Sequence, residues 1–282
     1  MTISNKKVNK KIWRLSKNAQ TLLLAKTYAI FYIHCCAYVI FEFNDVACYA
    51  RLLSKVFIQG PYDTNTSLMS DALRSGGLIP TTSPYTDALT IDPSVLTVTG
   101  NDAIVDWIWV EIRDSADNTT IIDSKSALLQ ADSDVVDLNG NSPLVFDSSV
   151  DDYFITLSHR NHLGVITTGT FILKEGVVDL DLRSDINLVT GGSNAIRDMG
   201  DGNVALYAAD FDGNGQVQNT DLNGMLPLLG ISSYSHADVD MNGQVQNTDI
   251  NILLPNLGLG SQAGRYSDNE PPRIIIIAPR RE

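Results

Sequence analysis

The sequence predicts a mainly β fold, an antiparallel β-sandwich followed by a small α-helical unit, and three observations carry that expectation. Short apolar segments recur between Leu52 and Asp185, with polar turn clusters between them. One of them, residues 103–113, alternates over its second half: Trp107, Trp109, Glu111 and Arg113 share one face, and Ile108, Val110 and Ile112 the other. A period of two is a strand's period, and short strands at even spacing favour a sandwich. Farther on, Leu222, Met225 and Leu226, and again Ile250, Leu253 and Leu254, fall at helical spacing.

In chain order, Lys55–Gln59 reads as the first strand and Ser70–Ser75 as one helical turn. Pro80, Pro84 and Pro93 mark an extended crossing segment. Ser94–Thr99, residues 103–113, Thr120–Leu129, Asp134–Leu138, Tyr153–Arg160 and Val165–Leu173 read as strands. The turn signals between them include Thr99-Gly-Asn-Asp, Asp114-Ser-Ala-Asp-Asn, Asn139-Gly-Asn-Ser-Pro and Asp147-Ser-Ser. Val177–Asp185 and Val204–Ala208 read as strands that lead into the helical unit. The organisation is therefore a distinct segment 1–51, a sandwich over 52–190, connecting strands over 191–207, a helical unit over 208–258, and a disordered tail over 259–282.

The helical unit is an internal repeat. Asp210–Gly230 and Asp238–Gly258 align without gaps and agree at 15 of 21 positions. Each copy opens on D-x-D-x-N-G-x-x-x-x-x-D. A calcium ion takes about six to eight oxygen ligands. A loop of about twelve residues supplies them from positions 1, 3, 5, 7, 9 and 12, with glycine at 6 for the sharp turn. Positions 1, 3, 5, 6 and 12 fit in both copies, which predicts two calcium ions. A 21-residue unit cannot bury its apolar face alone, so the two are expected to pack together. Leu222, Met225, Leu226 and Leu229 would meet Ile250, Leu253, Leu254 and Leu257. Val217 and Val245, at loop position 8, would join the loops through a strand-like contact.

Residues 208–258 resemble a dockerin, a tandem of half EF-hands that anchors secreted bacterial proteins to cohesin partners. The resemblance implies one ligand set of Asp210, Asp212, Asn214, the Gln216 carbonyl, Gln218 and Asp221. It implies a second of Asp238, Asp240, Asn242, the Gln244 carbonyl, Gln246 and Asp249. It also implies a cohesin-like or other surface-protein partner. Three departures stand out. Gln218 and Gln246 are longer than the usual ligand at position 9 and suit coordination through water. Asp221 and Asp249 are a methylene shorter than glutamate. Pro227 and Pro255 fall where a longer helix would continue, and proline removes a donor and clashes with the preceding turn.

Composition fits a calcium protein outside the cell. The 282 residues carry a net charge of −13, and residues 1–50 are +5, with seven cations against two anions. The remainder is therefore −18 (−13 less +5), which repels phosphate backbones and excludes nucleic acid as a partner. Cys35, Cys36 and Cys48 are the only cysteines, so the acidic body has no disulfide framework and calcium is expected to staple its helical unit. In the first segment a basic stretch precedes the apolar run 28–41. At 14 residues the run is short for a spanning helix and reads as the core of a secretion or anchoring signal, with cleavage after Ala50. A segment foreign to the domain is the alternative. Beyond Arg265 lie a polar linker and the run Arg273-Ile-Ile-Ile-Ile.

The body has its own resemblance. Lys55–Tyr62, Leu68–Arg74, Leu78–Pro80 with Pro84-Tyr85, Ile104–Trp107 and His159–His162 are similar to a C-terminal segment of large secreted bacterial surface proteins, in which a β-domain precedes a dockerin-like tail. That implies location and architecture, not a reaction. His159 and His162 flank a tight turn, yet zinc would need a third ligand near them and the body has no cysteine. No nucleophile elbow exists, and no spacing selects an acid pair from the 33 carboxylates. Trp107 and Trp109 on one strand face could stack sugars. The sequence thus points to a non-catalytic secreted or cell-surface protein with a calcium-stabilised attachment unit. The alternative is the substrate-binding and tethering portion of a polysaccharide-degrading enzyme.

Overall fold

The structure is a computed structural model that describes residues 28–33, 37–42, 49–149, 151–173, 177–261 and 263. The chain divides into two compact units, Met1–Ala47 and Cys48–Glu282. In the first, β1 (Tyr28–Ile33) and β2 (Ala37–Glu42) form an antiparallel hairpin, with Tyr28 opposite Glu42 and Ile33 opposite Ala37. Residues 28–33 and 37–41 of the apolar run read as a signal core thus lie in this strand pair, in keeping with their aromatic and β-branched residues. The basic stretch, the three cysteines and the isoleucine run lie outside the described residues. Among the described residues no helix is long and apolar enough to cross a membrane.

The second unit is mainly β, with several antiparallel sheets and few helices. It begins with β3 (Ala50–Lys55), whose first residue is the alanine read as a cleavage point; Ala50 is buried and pairs with Phe146. Next come β4 (Phe57–Ile58), β5 (Tyr62–Asp63), β6 (Leu68–Met69) and the single helical turn α1 (Ala72–Ser75). The long strands are β7 (Ile104–Asp114), β8 (Ile121–Gln130) and β11 (Asp151–His159), and between the last two lie β9 (Asp134–Val136) and β10 (Leu144–Phe146). Then come β12 (His162–Ile166), β13 (Phe171–Leu173), β14 (Val178–Asp181), β15 (Ile196–Asp198) and β16 (Val204–Leu206). Nine strands form one sheet in the order β10-β3-β9-β8-β7-β11-β12, with β13 added to β11 and β14 added in parallel to β3. A second sheet runs β15-β16-β4.

Departures from the expected elements have local causes. The first predicted strand is two, because the Val56 amide donates to the Ser133 carbonyl (3.0 Å) and the chain changes sheets there. Ser94–Thr99 was expected extended; Pro93–Thr97 is a 3₁₀ turn, with Pro93 leading it and Asp92 Oδ1 accepting from the Ser94 amide (2.9 Å). The strand β10 escaped notice because it has three residues and no period to read.

The largest correction concerns β7. Trp107 and Trp109 are buried, not a platform, and so are Glu111 and Arg113 on the same face. The crossing segment after α1 covers the tryptophans. The Pro80 carbonyl accepts from Trp107 Nε1 (2.9 Å), the Tyr85 ring lies 5.5 Å from that of Trp109, and Asp87 clamps the Ser126 amide (2.8 Å) on β8. Glu111 accepts from Trp109 Nε1 (2.9 Å) and from Arg113 Nε and Nη2 (2.8 and 2.6 Å), so its charge is buried with its partners. Sugar stacking on this face is therefore withdrawn.

The repeats form α2 (Asn219–Met225) and α3 (Asn247–Leu253), with Val217, Met225, Val245 and Leu253 fully buried in a shared cluster. Each helix becomes a 3₁₀ turn at its proline, over Leu226–Leu228 and Leu254–Asn256. The tighter turn swings side chains off the buried stripe, so Leu226, Leu229, Leu254 and Leu257 are exposed, contrary to the expected shared core. Bulk is exchanged between the copies. A Cβ on Gly224 would lie 2.4 Å from the Phe211 ring, whereas the second copy has Ile252 and the smaller Val239 at these two positions, both in the same cluster. Val217 and Val245 do not pair with each other. Val217 exchanges bonds with Gly258 and Leu259, and Val245 with Gly230 and Ile231, so each loop zips to the end of the other repeat. Past the second repeat, Ser261 donates its amide to the Gly215 carbonyl (2.8 Å) and its hydroxyl to that of Gly164 (2.6 Å), and Arg113 holds the Ala263 carbonyl (2.8 Å).

Candidate metal centre

Each loop is folded by its own side-chain oxygens. In the first, Asp221 Oδ1 accepts from the Phe211 and Asp212 amides (2.8 and 3.2 Å) and its Oδ2 from the Gln218 amide (2.7 Å). Asp210 Oδ2 accepts from Gly215, Asp212 Oδ1 from Asn214, and Asn214 Oδ1 from Gln216, at 3.0, 3.0 and 2.9 Å. The second loop repeats the scheme. Asp249 takes the Val239, Asp240 and Gln246 amides (2.8, 3.1 and 2.7 Å), and Asp238 takes those of Asn242 and Gly243 (3.1 and 2.8 Å). Asp240 Oδ1 also accepts from Asn242 (3.1 Å), and Asn242 Oδ1 from Gln244 (2.9 Å). Gly215 and Gly243, at position 6, have φ of +82° and +88°, where a side chain would be strained.

This wrapping turns carboxylates inward. Asp210, Asp212 and Asp221 each bring one oxygen to within 4.8 Å of the others, and so do Asp238, Asp240 and Asp249. In each trio the residues at positions 1 and 12 are buried. Burial, and then the charge of Asp221, push the Asp210 carboxyl up to about 8. Burial pushes Asp238 up to about 7, against the pull of Arg160. Burial raises Asp221 and Asp249 as well. Asp210 Oδ1 is buried and has no hydrogen-bond partner among the described residues. Such a set of hard oxygens suits calcium, which would supply the missing partner and the missing positive charge. Asn214 is half-buried, and Asn242, Gln216, Gln218, Gln244 and Gln246 are exposed. Gln246 Nε2 donates to Gln244 Oε1 (2.6 Å), and Gln218 makes the matching bond to Gln216.

The turn between β11 and β12 lies where His159–His162 was expected, but it is a buried junction. Burial lowers both imidazoles. His162 Nε2 donates to the Gln59 carbonyl (2.6 Å), and His159 sits 3.2 Å from Asp106. Asp106 also accepts from Arg160 Nε (2.8 Å) and Tyr234 OH (2.7 Å), and Arg160 lies over the Tyr234 ring. Burial alone would raise the Asp106 carboxyl, but Arg160 and His159 hold it well below the usual carboxylate range. Asp106, Tyr234 and His236 were not singled out from the sequence. The one signal was an acid interrupting the apolar start of β7.

No known protein family matches the chain, and no curated protein does. Among solved structures it is similar to two chains from crystal structures of a type II cohesin–X-dockerin complex of Acetivibrio cellulolyticus. One carries an N-terminal and the other a C-terminal interface mutation; the TM-scores are 0.41 and 0.39, and the identities 11% and 12%. Each covers 75% of this chain and 97% of the matched one.

Proposed function

We propose that this chain is a non-catalytic secreted or cell-surface protein, a β-sandwich whose repeat unit is a dockerin-like module that binds two calcium ions and attaches it to a protein partner of the cohesin kind. The observation that carries the reading is the pair of inward-facing carboxylate trios, one of them with a buried oxygen left without a hydrogen bond among the described residues. Asp210, Asp212, Asn214, the Gln216 carbonyl and Asp221 would hold the first ion, with Gln218 acting through water. Asp238, Asp240, Asn242, the Gln244 carbonyl and Asp249 would hold the second, with Gln246 in the same role. The metal supplies charge neutralisation; the protein supplies the wrapped loop and the two helices that follow it. Asn219, Thr220, Asn247 and Thr248 are exposed at the helix starts and would offer the partner the same surface twice.

Calorimetric titration of the chelated chain with calcium chloride tests the reading. Two ions should bind, with a gain of helix by circular dichroism. The Asp210→Ala, Asp238→Ala double variant should show neither. A wild-type chain with the same helix content and no heat of binding would refute it.

A further inference from the structure

The two loops are alike in sequence but not in setting. Position 4 is Gly213 in the first and Met241 in the second, and Met241 inserts fully into the core of the β body at φ +57°. Beside it the second loop runs so close to the body that a Cβ on Gly60 would lie 2.1 Å from the Val239 carbonyl oxygen. A Cβ on Gly243 would lie 2.7 Å from Leu78. The third contact is the fully buried Asn161. Both hydrogens of its Nδ2 are used, on the carbonyls of His236 and Asp238 at 3.0 Å each, and its Oδ1 lies 2.8 Å from His162 Nδ1. Asn161 reaches the approach to the first loop by its main chain alone, through the bond from the Ala209 amide to its carbonyl (2.8 Å).

We infer that Asn161 is a positioning residue for the second calcium site only: its side-chain amide pins the backbone at Asp238, a tie that this side chain does not make to the first loop. The inference rests on the calcium reading. A group that orients a metal ligand from behind contributes roughly 10–100-fold in affinity. Its removal should therefore be felt at one site and not the other.

The test isolates each loop in the full-length chain. Asp210→Ala leaves the second loop intact, and Asp238→Ala the first. Adding Asn161→Ala to Asp210→Ala should weaken calcium binding, by calorimetry, roughly 10–100-fold. Adding it to Asp238→Ala should leave the remaining site within about threefold, because the main-chain bond to Ala209 survives the substitution. Asn161→Ser, which keeps a polar group too short to span both carbonyls, is read in the same way if the alanine variant does not fold. Equal weakening in both backgrounds, or none with Asp210→Ala, overturns the assignment of Asn161. If neither single-loop chain binds calcium while Asn161 is intact, the calcium reading itself fails, and the inference with it.

Discussion

Without metal, the buried Asp210 carboxylate should destabilise the protein that carries it, and Asp210→Asn should relieve the burden. The folded-state pKa is raised from 3.8 to about 8. A carboxyl raised in this way contributes stability that is fully present below the unfolded value and is lost as pH rises through the folded one. Each pH unit between the two costs about 1.4 kcal/mol, so at pH 7 the wild-type chain has forfeited at most about 4 kcal/mol that an asparagine never risks. In calcium-free buffer Asp210→Asn should therefore melt higher than wild type at pH 7. At about 2–4 °C per kcal/mol for a unit of this size, the gain is of order 10 °C. It should shrink to nothing near pH 4. Comparison with the variant removes the opposing contribution of His236, held neutral down to about 3, since both chains share it. In saturating calcium the order should invert, because asparagine offers one neutral oxygen in place of a carboxylate. Differential scanning calorimetry at pH 4 and 7, with and without calcium, reads all four conditions. An Asp210→Asn chain that melts below wild type at pH 7 in calcium-free buffer would show that the carboxylate is not under strain there.

Two further outcomes are expected. Glu111→Gln leaves Arg113 buried against a neutral amide, and removing one charge of a buried pair costs about 3–5 kcal/mol, readable as a lower urea midpoint; an unchanged midpoint would mean that the pair is solvated. If a partner meets either repeat alike, changing Asn219 and Thr220 alone, or Asn247 and Thr248 alone, should leave its binding nearly intact in a pull-down titration. Only the four changes together should abolish it, and loss of binding from a single pair without a lower melting temperature would refute that exchange.

What could be read from the chain was what is local. Each candidate calcium loop is one contiguous stretch, so the spacing of Asp210, Asp212, Asn214 and Asp221 by itself forecasts that their oxygens converge. The strand β7 was legible for the same reason. The fate of its tryptophans was not, because the segment carrying Pro80 and Tyr85 is aperiodic and nothing local says which face it will cover. The four exposed leucines were misjudged because the helical period was carried through Pro227 and Pro255, where the backbone tightens. Asp106, Arg160 and Tyr234 come from three distant stretches, and only the folded chain brings them together.

The stitching of Gly258, Leu259, Ser261 and Ala263 has a mechanical consequence. Ser261 is tied at once to the first loop, through Gly215, and to β12, through Gly164, while Arg113 of β7 grips Ala263. A pull on the chain beyond Ala263 is thus met first by these clasps, then by the zip between Val217 and Leu259, and only afterwards by the helices. Tension arriving from that side is passed into the sheet before it can unwind the repeats.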